Sequence, residues 1–176
     1  MTPADLDALR KAVRDVPDFP KPGIVFKDIT PALGDGRMLR KIIDGFVEAT
    51  RPLNVSKVVG IESRGFIFGT PLAAALGVGF VPVRKKGKLP WECEAISYAL
   101  EYGEATVEIH RDAVESGERV VLIDDLLATG GTAAAAVALV QKLGGVVAEA
   151  QFLIELSFLG GRRLVPETAV RSFLTF

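Results

Sequence analysis

The stretch that most limits the fold is Val120–Thr132, VVLIDDLLATGGT. It opens with Val120, Val121, Leu122 and Ile123. A run that is apolar on both faces suits a strand buried inside a parallel sheet. Two adjacent carboxylates follow, Asp124 and Asp125, and then a loop of small residues, Ala128 to Thr132, which leads into an alanine-rich helical pattern. In open parallel sheets, ligands bind beyond the carboxyl ends of the strands. A glycine-rich loop that opens a helix presents free backbone N–H groups and the positive end of the helix dipole, which suits a phosphate. A tight strand-to-helix turn with no ligand is the plainer alternative.

The loop is not one that grips a nucleoside triphosphate. That motif is G-x-x-x-x-G-K-S/T, and no lysine follows Gly131. It is not the dinucleotide fingerprint G-x-G-x-x-G either. Thr129, Gly130, Gly131, Thr132 and a helix start are still enough to enclose one phosphate monoester. Asp124 and Asp125 repel each other at a strand end and need a compensating partner. Ribose hydroxyls or a hydrated magnesium ion would supply it, as would a split in which one aspartate is exposed and the other caps the next turn. Beside a phosphate-type loop, the pair describes a ribose 5-phosphate.

Lys57–Ile61 reads as a second buried strand, followed directly by Glu62-Ser63-Arg64-Gly65. A helical stretch then runs to about Leu76, with Gly77 as its stop. Pro71 leaves the start of that helix near either Gly65 or Thr70. Gly79–Val83 is a strand that ends in the cluster Arg84-Lys85-Lys86-Gly87-Lys88, which is a solvated face or a focused anion site. Segments 97–102 and 105–109 flank Gly103 as a hairpin or a long loop with strand arms. Further strands lie near 146–154 and 169–174, with a helix over 132–143 before them and an irregular segment over 159–164 between them. Alternating strands and helices predict an α/β fold with an open, mainly parallel five-stranded sheet flanked by helices. Segments 17–31 and 84–110 are additions to that core.

At the N-terminus, Thr2 caps a helix, Pro3 takes its first position and Asp5 can reach back in a capping box. Leu6, Leu9, Val13 and Val16 form its apolar stripe. Pro17–Pro31 holds four prolines and excludes a long helix. Helical spacing returns over Met38–Val47.

Composition narrows the function classes. A chain of 176 residues, 49% of them hydrophobic, suits one domain with a sizeable core. Lys+Arg is 21 and Asp+Glu is 22, for a net charge of -1, which gives no general attraction to nucleic acid or membrane. No uncharged apolar run reaches the roughly 18 residues of a spanning helix, and the charged, periodic N-terminus is unlike a signal peptide. The one cysteine, Cys93, stands between two glutamates, which disfavour a thiolate. His110 has no companion for a zinc site. A soluble intracellular enzyme or binding protein is the expected class.

VVLIDDLLATGGT resembles the phosphoribosyl-pyrophosphate motif of the type I phosphoribosyltransferases. PDFPKPGIVFKDITP, GIESRGFIFG, VRKKGKLP and YALEYGEA resemble the adenine-using branch of that family along nearly the whole chain. The resemblance implies a single domain over 1–176, with an N-terminal helix and hood over about 1–35 and a mobile flap and hairpin over about 84–110. It implies purine salvage: adenine and 5-phosphoribosyl 1-pyrophosphate give AMP and pyrophosphate. In that reading Ala128, Thr129, Gly130, Gly131 and Thr132 hold the 5-phosphate, and Asp124 and Asp125 hold the ribose hydroxyls. Glu62, Ser63, Arg64, Arg84, Lys85 and Lys88 take the pyrophosphate, and the turn at 62–64 can contain a non-proline cis peptide. Val25, Phe26 and Lys27 line the adenine pocket, with Phe26 and Arg64 sandwiching the ring. Glu101 is the acid/base, and Tyr102 lies beside it on the flap. Magnesium (Mg2+) is the implied cofactor, held through substrate and water near Asp124 and Asp125 with no direct protein ligand. A cytoplasmic homodimer is implied, with no nucleic-acid or membrane partner. Glu62 stands where many relatives have aspartate, and Lys27 where some have arginine. A different purine base, or a regulatory module that keeps the sugar site, is the alternative.

Overall fold

The structure, a computed structural model, describes residues 1–99 and 103–176. Residues 1–45 and 46–176 form two compact units.

In the first unit, α1 (Pro3–Ala12) opens with the expected capping box. Thr2 Oγ1 accepts the Asp5 N–H at 3.2 Å, and Asp5 Oδ2 accepts the Thr2 N–H at 3.0 Å. Two of the four N-terminal N–H groups that a helix leaves unpaired are often met in this way. Of the expected apolar stripe, Leu9 and Val13 are buried. The proline-rich segment folds as a hairpin: β1 (Arg14–Pro17) pairs antiparallel with β2 (Val25–Asp28). Asp18 sits at φ 57 in the turn, and its carboxylate accepts the Gly23 N–H at 2.7 Å. A short α2 (Thr30–Gly34) follows, and α3 (Gly36–Thr50) spans the boundary between the units.

The second unit alternates strand and helix: β3 (Lys57–Ile61), α4 (Gly65–Leu76), β4 (Gly79–Lys85), β5 (Cys93–Ala99), β6 (Glu104–His110), β7 (Arg119–Leu127), α5 (Gly131–Lys142), β8 (Val146–Glu155) and β9 (Val170–Thr175). The sheet order is β5-β6-β4-β3-β7-β8-β9. The five strands from β4 to β9 in that order are mutually parallel. The sheet therefore has seven strands, not five. Strand β4 runs past Val83, and its last residues pair antiparallel with β6, Arg84 opposite Glu108 and Lys85 opposite Val107. Val107 and Ile109 on β6 are buried in the main apolar cluster, which explains why the hairpin joins the sheet rather than standing off it.

Strand β7 is also longer than expected. Parallel pairing with β8 continues from Arg119 to Leu127, so the acidic pair lies within the strand. Helix α4 starts at Gly65, the earlier of its two expected starts, and stops at Gly77 in the left-handed conformation. Phe80 of β4 fills the space that two glycines leave between β3 and α4. A Cβ at Gly60 or Gly69 would lie 2.7 or 2.8 Å from its ring. Among the described residues, no helix is long and apolar enough to cross a membrane.

Candidate active site

Strands β3 and β7 are neighbours, but their crossovers leave in opposite directions, to β4 and to β8. This is the switch point of the sheet, where a crevice opens beyond the carboxyl ends. Gly60 lies opposite Ile123, so the turn after β3 faces the acidic end of β7. The Glu62–Ser63 peptide in that turn is cis. Gly65 then starts α4 hard against β7: a Cβ there would stand 2.6 Å from Ile123 O and 3.1 Å from Asp124 Oδ1. That approach puts Arg64 Nε 2.9 Å from Asp125 Oδ2. Asp124 Oδ1 accepts the Asp125 N–H at 2.8 Å. Burial, and then the Asp125 charge, push the Asp124 carboxyl well above the usual carboxylate range. Burial also pushes Asp125 up, against the pull of Arg64. Such carboxylates call for hydrogen-bond donors or a cation.

The phosphate-type loop reduces to Ala128-Thr129-Gly130, since α5 begins at Gly131. The first bond of the helix runs from the Ala134 N–H to Gly130 O at 2.9 Å. The N–H groups of Gly131, Thr132 and Ala133 precede it and have no acceptor within the helix. They open on a hollow of about 80 Å³ lined by Asp124 and residues 126–133, a size for one small anion. Gly130 is at φ +88, and a Cβ there would meet Gly161 O at 2.3 Å. A Cβ on Gly161 would meet Ala128 O at the same distance. The two backbones interlock. The Gly161 side is anchored by Arg162, whose guanidinium donates to both Glu155 carboxylate oxygens, at 2.7 and 2.6 Å.

A third approach comes from the hairpin. Tyr98 OH lies 2.8 Å from Thr132 Oγ1, and a Cβ on Gly131 would stand 2.9 Å from the Tyr98 ring.

At the end of β4, Glu62 gathers the basic cluster. Arg84 Nη2 donates to its Oε1 at 3.0 Å, and the Lys85 N–H donates to Oε2 at 2.9 Å. Lys88 Nζ lies 3.8 Å from Oε1. Burial acts to raise the Glu62 pKa, but Arg84, the Lys85 N–H and Lys88 outweigh it and hold it below the usual value. The Arg84 Nη1 donates to Lys88 O at 2.9 Å, which closes the turn. Two carboxylate oxygens thus orient several positive groups at one strand end.

The structure brings Arg64, Asp124, Asp125 and residues 128–132 together, with Glu62, Arg84, Lys85 and Lys88 around the end of β4. Ser63 is exposed in the turn between β3 and α4. Val25, Phe26 and Lys27 lie on β2 in the first unit. Phe26 there packs edge-on against Phe19 (5.2 Å, 77°), and Lys27 Nζ is 2.6 Å from Asp15 Oδ1. Glu101 and Tyr102 lie outside the described residues. Cys93 is pushed up by burial and by the Glu108 charge, against Arg111, and does not favour a thiolate. Among the described residues, no group of three or more His, Cys, Asp or Glu could hold a metal ion. Tyr98 and Gly161 were not legible as site residues. The pair Gly160-Gly161 in an irregular segment is a local signal that could have marked a close backbone approach.

The paired carboxylates, the Arg64 turn and the small hollow thus converge at the switch point of an α/β sheet. The family model for the phosphoribosyl transferase domain matches residues 33–155. The adenine phosphoribosyltransferase of Anaeromyxobacter dehalogenans is 57% identical over 97% of this chain and 99% of its own length. The crystal structure of adenine phosphoribosyltransferase from Rhodothermus marinus superposes with a TM-score of 0.94 at 53% identity, covering 99% of this chain and 100% of that one. The enzyme from Saccharomyces cerevisiae, solved with D-2,5-dideoxy-2,5-imino-altritol 1,6-bisphosphate and adenine, gives 0.93 at 43% identity, covering 98% and 99%. The chain belongs to the adenine phosphoribosyltransferase family.

Proposed function

We propose that this chain transfers the phosphoribosyl group of 5-phosphoribosyl 1-pyrophosphate to adenine, giving AMP and pyrophosphate in purine salvage. The observation that carries the sugar-phosphate half is the Arg64–Asp125–Asp124 cluster beside the small hollow at the start of α5. The base comes from the relatives, which are adenine phosphoribosyltransferases.

The 5-phosphate takes the N–H groups and hydroxyls of residues 128–132. The ribose hydroxyls donate to Asp124 and Asp125, whose raised pKa values make them receptive to donors. Arg84, Lys85, Lys88, Arg64 and the Ser63 turn receive the pyrophosphate, with Glu62 orienting the cations. The bond from the anomeric carbon to the pyrophosphate oxygen breaks as the bond to adenine N9 forms, through a transition state with oxocarbenium character. Positive groups aimed at the leaving oxygens lower that barrier. Glu101 accepts the proton that the purine's imidazole ring sheds. Val25, Phe26 and Lys27, and separately Arg64, are the residues of this proposal that contact the base. The segment over 84–110, which carries Glu101 and Tyr102, excludes water from the sugar.

The adjacent carboxylates of Asp124 and Asp125 fit magnesium, which binds through one or two carboxylates together with substrate phosphates and water. When bound, the ion supplies charge neutralisation on the pyrophosphate. A cytoplasmic homodimer is part of the proposal; sedimentation tests the dimer.

Incubation with adenine, 5-phosphoribosyl 1-pyrophosphate and magnesium is expected to yield AMP. No AMP overturns the activity, and faster reaction with guanine or hypoxanthine overturns the choice of base.

A further inference from the structure

We propose that Tyr98 is a positioning residue for the 5-phosphate, acting through Thr132. The inference rests on reading Ala128–Thr132 as the 5-phosphate loop. Tyr98 is on the hairpin strand β5, and its side chain packs against the core cluster that includes α5. Two contacts fix it there. Its ring occupies the place where a side chain on Gly131 would stand, with 2.9 Å to a built Cβ. Its hydroxyl is 2.8 Å from Thr132 Oγ1.

The direction of that hydrogen bond follows from the chemistry. A threonine hydroxyl has one proton and two lone pairs. If Thr132 gave its proton to Tyr98, its lone pairs would face the phosphate and repel it. If Tyr98 donates, the Thr132 proton is free for a phosphate oxygen. A phenol is the stronger donor of the two, and a chain of donors ending on an anion is cooperative. Tyr98 therefore donates to Thr132, and Thr132 donates to the phosphate.

Tyr98→Phe keeps the ring over Gly131 and removes only the hydroxyl. Calorimetric titration of the full chain with ribose 5-phosphate is expected to show affinity about five-fold weaker in Tyr98→Phe, as for one net hydrogen bond. The KM for 5-phosphoribosyl 1-pyrophosphate should rise by a similar factor, with kcat and the KM for adenine nearly unchanged. Thr132→Ala should weaken ribose 5-phosphate at least as much, and Tyr98→Phe should add nothing in that background. Three results overturn the proposal. One is unchanged affinity in Tyr98→Phe while Thr132→Ala is weakened. Another is full additivity in the double variant, which assigns the effect to packing. The third is unchanged affinity in Thr132→Ala, which removes the loop reading and the role of Tyr98 with it.

Discussion

At the scale of the residue, burial sets the proposed role of Asp124 against stability. Its folded pKa lies above the unfolded value, so the folded protein holds a proton there that the unfolded chain releases. The stabilising contribution is complete below the unfolded value and is lost as pH rises through the folded one. Above the unfolded value the buried carboxyl therefore opposes folding. Asp124→Asn is expected to raise the melting temperature of the ligand-free protein at pH 7.5, and the gain should shrink on titration to acid pH. The same change should lower kcat/KM about ten- to hundred-fold, the scale of losing a hydrogen bond to a charged group. Asp125→Asn also removes the ion pair with Arg64 at 2.9 Å, and should stabilise less. A lower melting temperature in Asp124→Asn at neutral pH would contradict this account. For Glu101, assigned on sequence alone, Glu101→Gln should reduce turnover by about 10²–10⁴ while leaving phosphoribosyl-pyrophosphate affinity nearly intact. Rapid-quench and binding measurements together would check it.

At the scale of the element, the start of α4 is the tightest joint. A methyl at Gly65 cannot be accommodated 2.6 Å from Ile123 O without moving α4 away from β7. Gly65→Ala should cost about 1–3 kcal/mol by urea unfolding and weaken pyrophosphate and sugar binding together, because Arg64 moves with the helix. Unchanged unfolding would show that the joint is slack. This joint was partly legible, since a glycine after a strand and a polar turn marks a βα connection. Strands β3 and β7 and the helix after the loop were legible for the same local reasons, namely apolar runs, glycine stops and helical spacing. The reach of β7 through Asp124 and Asp125 was not. Aspartate is a poor strand former, and the parallel ladder with β8 overrides that preference. The union of the hairpin with the sheet was also hidden, because pairing between β4 and β6 joins residues distant in sequence. Tyr98 escaped for that reason too. Nothing local distinguishes an aromatic that touches the loop at the start of α5 from one that merely packs.

At the scale of the molecule, the carboxylates of the second unit divide into opposed groups. At the amino ends of the strands, burial acts to raise Glu118, but Lys57, the Glu115 N–H and Ser56 outweigh it and hold it down. Lys57 Nζ donates to Glu118 at 2.8 Å. At the carboxyl ends, Arg162 first and Ser172 next hold Glu155 down, and Glu62 is also lowered. These groups lend stability above their unfolded pKa values and lose it as pH falls through the folded ones. Asp124 and Asp125 have the opposite slope. The melting temperature is therefore expected to pass through a maximum on the acid side of neutrality, falling steeply below it as the ion-paired glutamates protonate. Asp124→Asn should flatten the alkaline side of that curve and leave the acid side unchanged. Calorimetry from pH 3 to 9 on both proteins would test the assignment.

The interlock of Gly130 with Gly161 bears on how such enzymes are recognised from sequence at all. The thirteen-letter signature Val120–Thr132 is complete in itself as a text, yet the shape it encodes is held by a backbone about thirty positions downstream. A Gly161→Ala variant would still be retrieved by any search on that signature, while its added methyl would force the loop away from its place against Ala128 O. The shape of that loop is thus written in two places, and a genome survey that reads only the first will count chains whose loop is misshapen with those whose loop is intact.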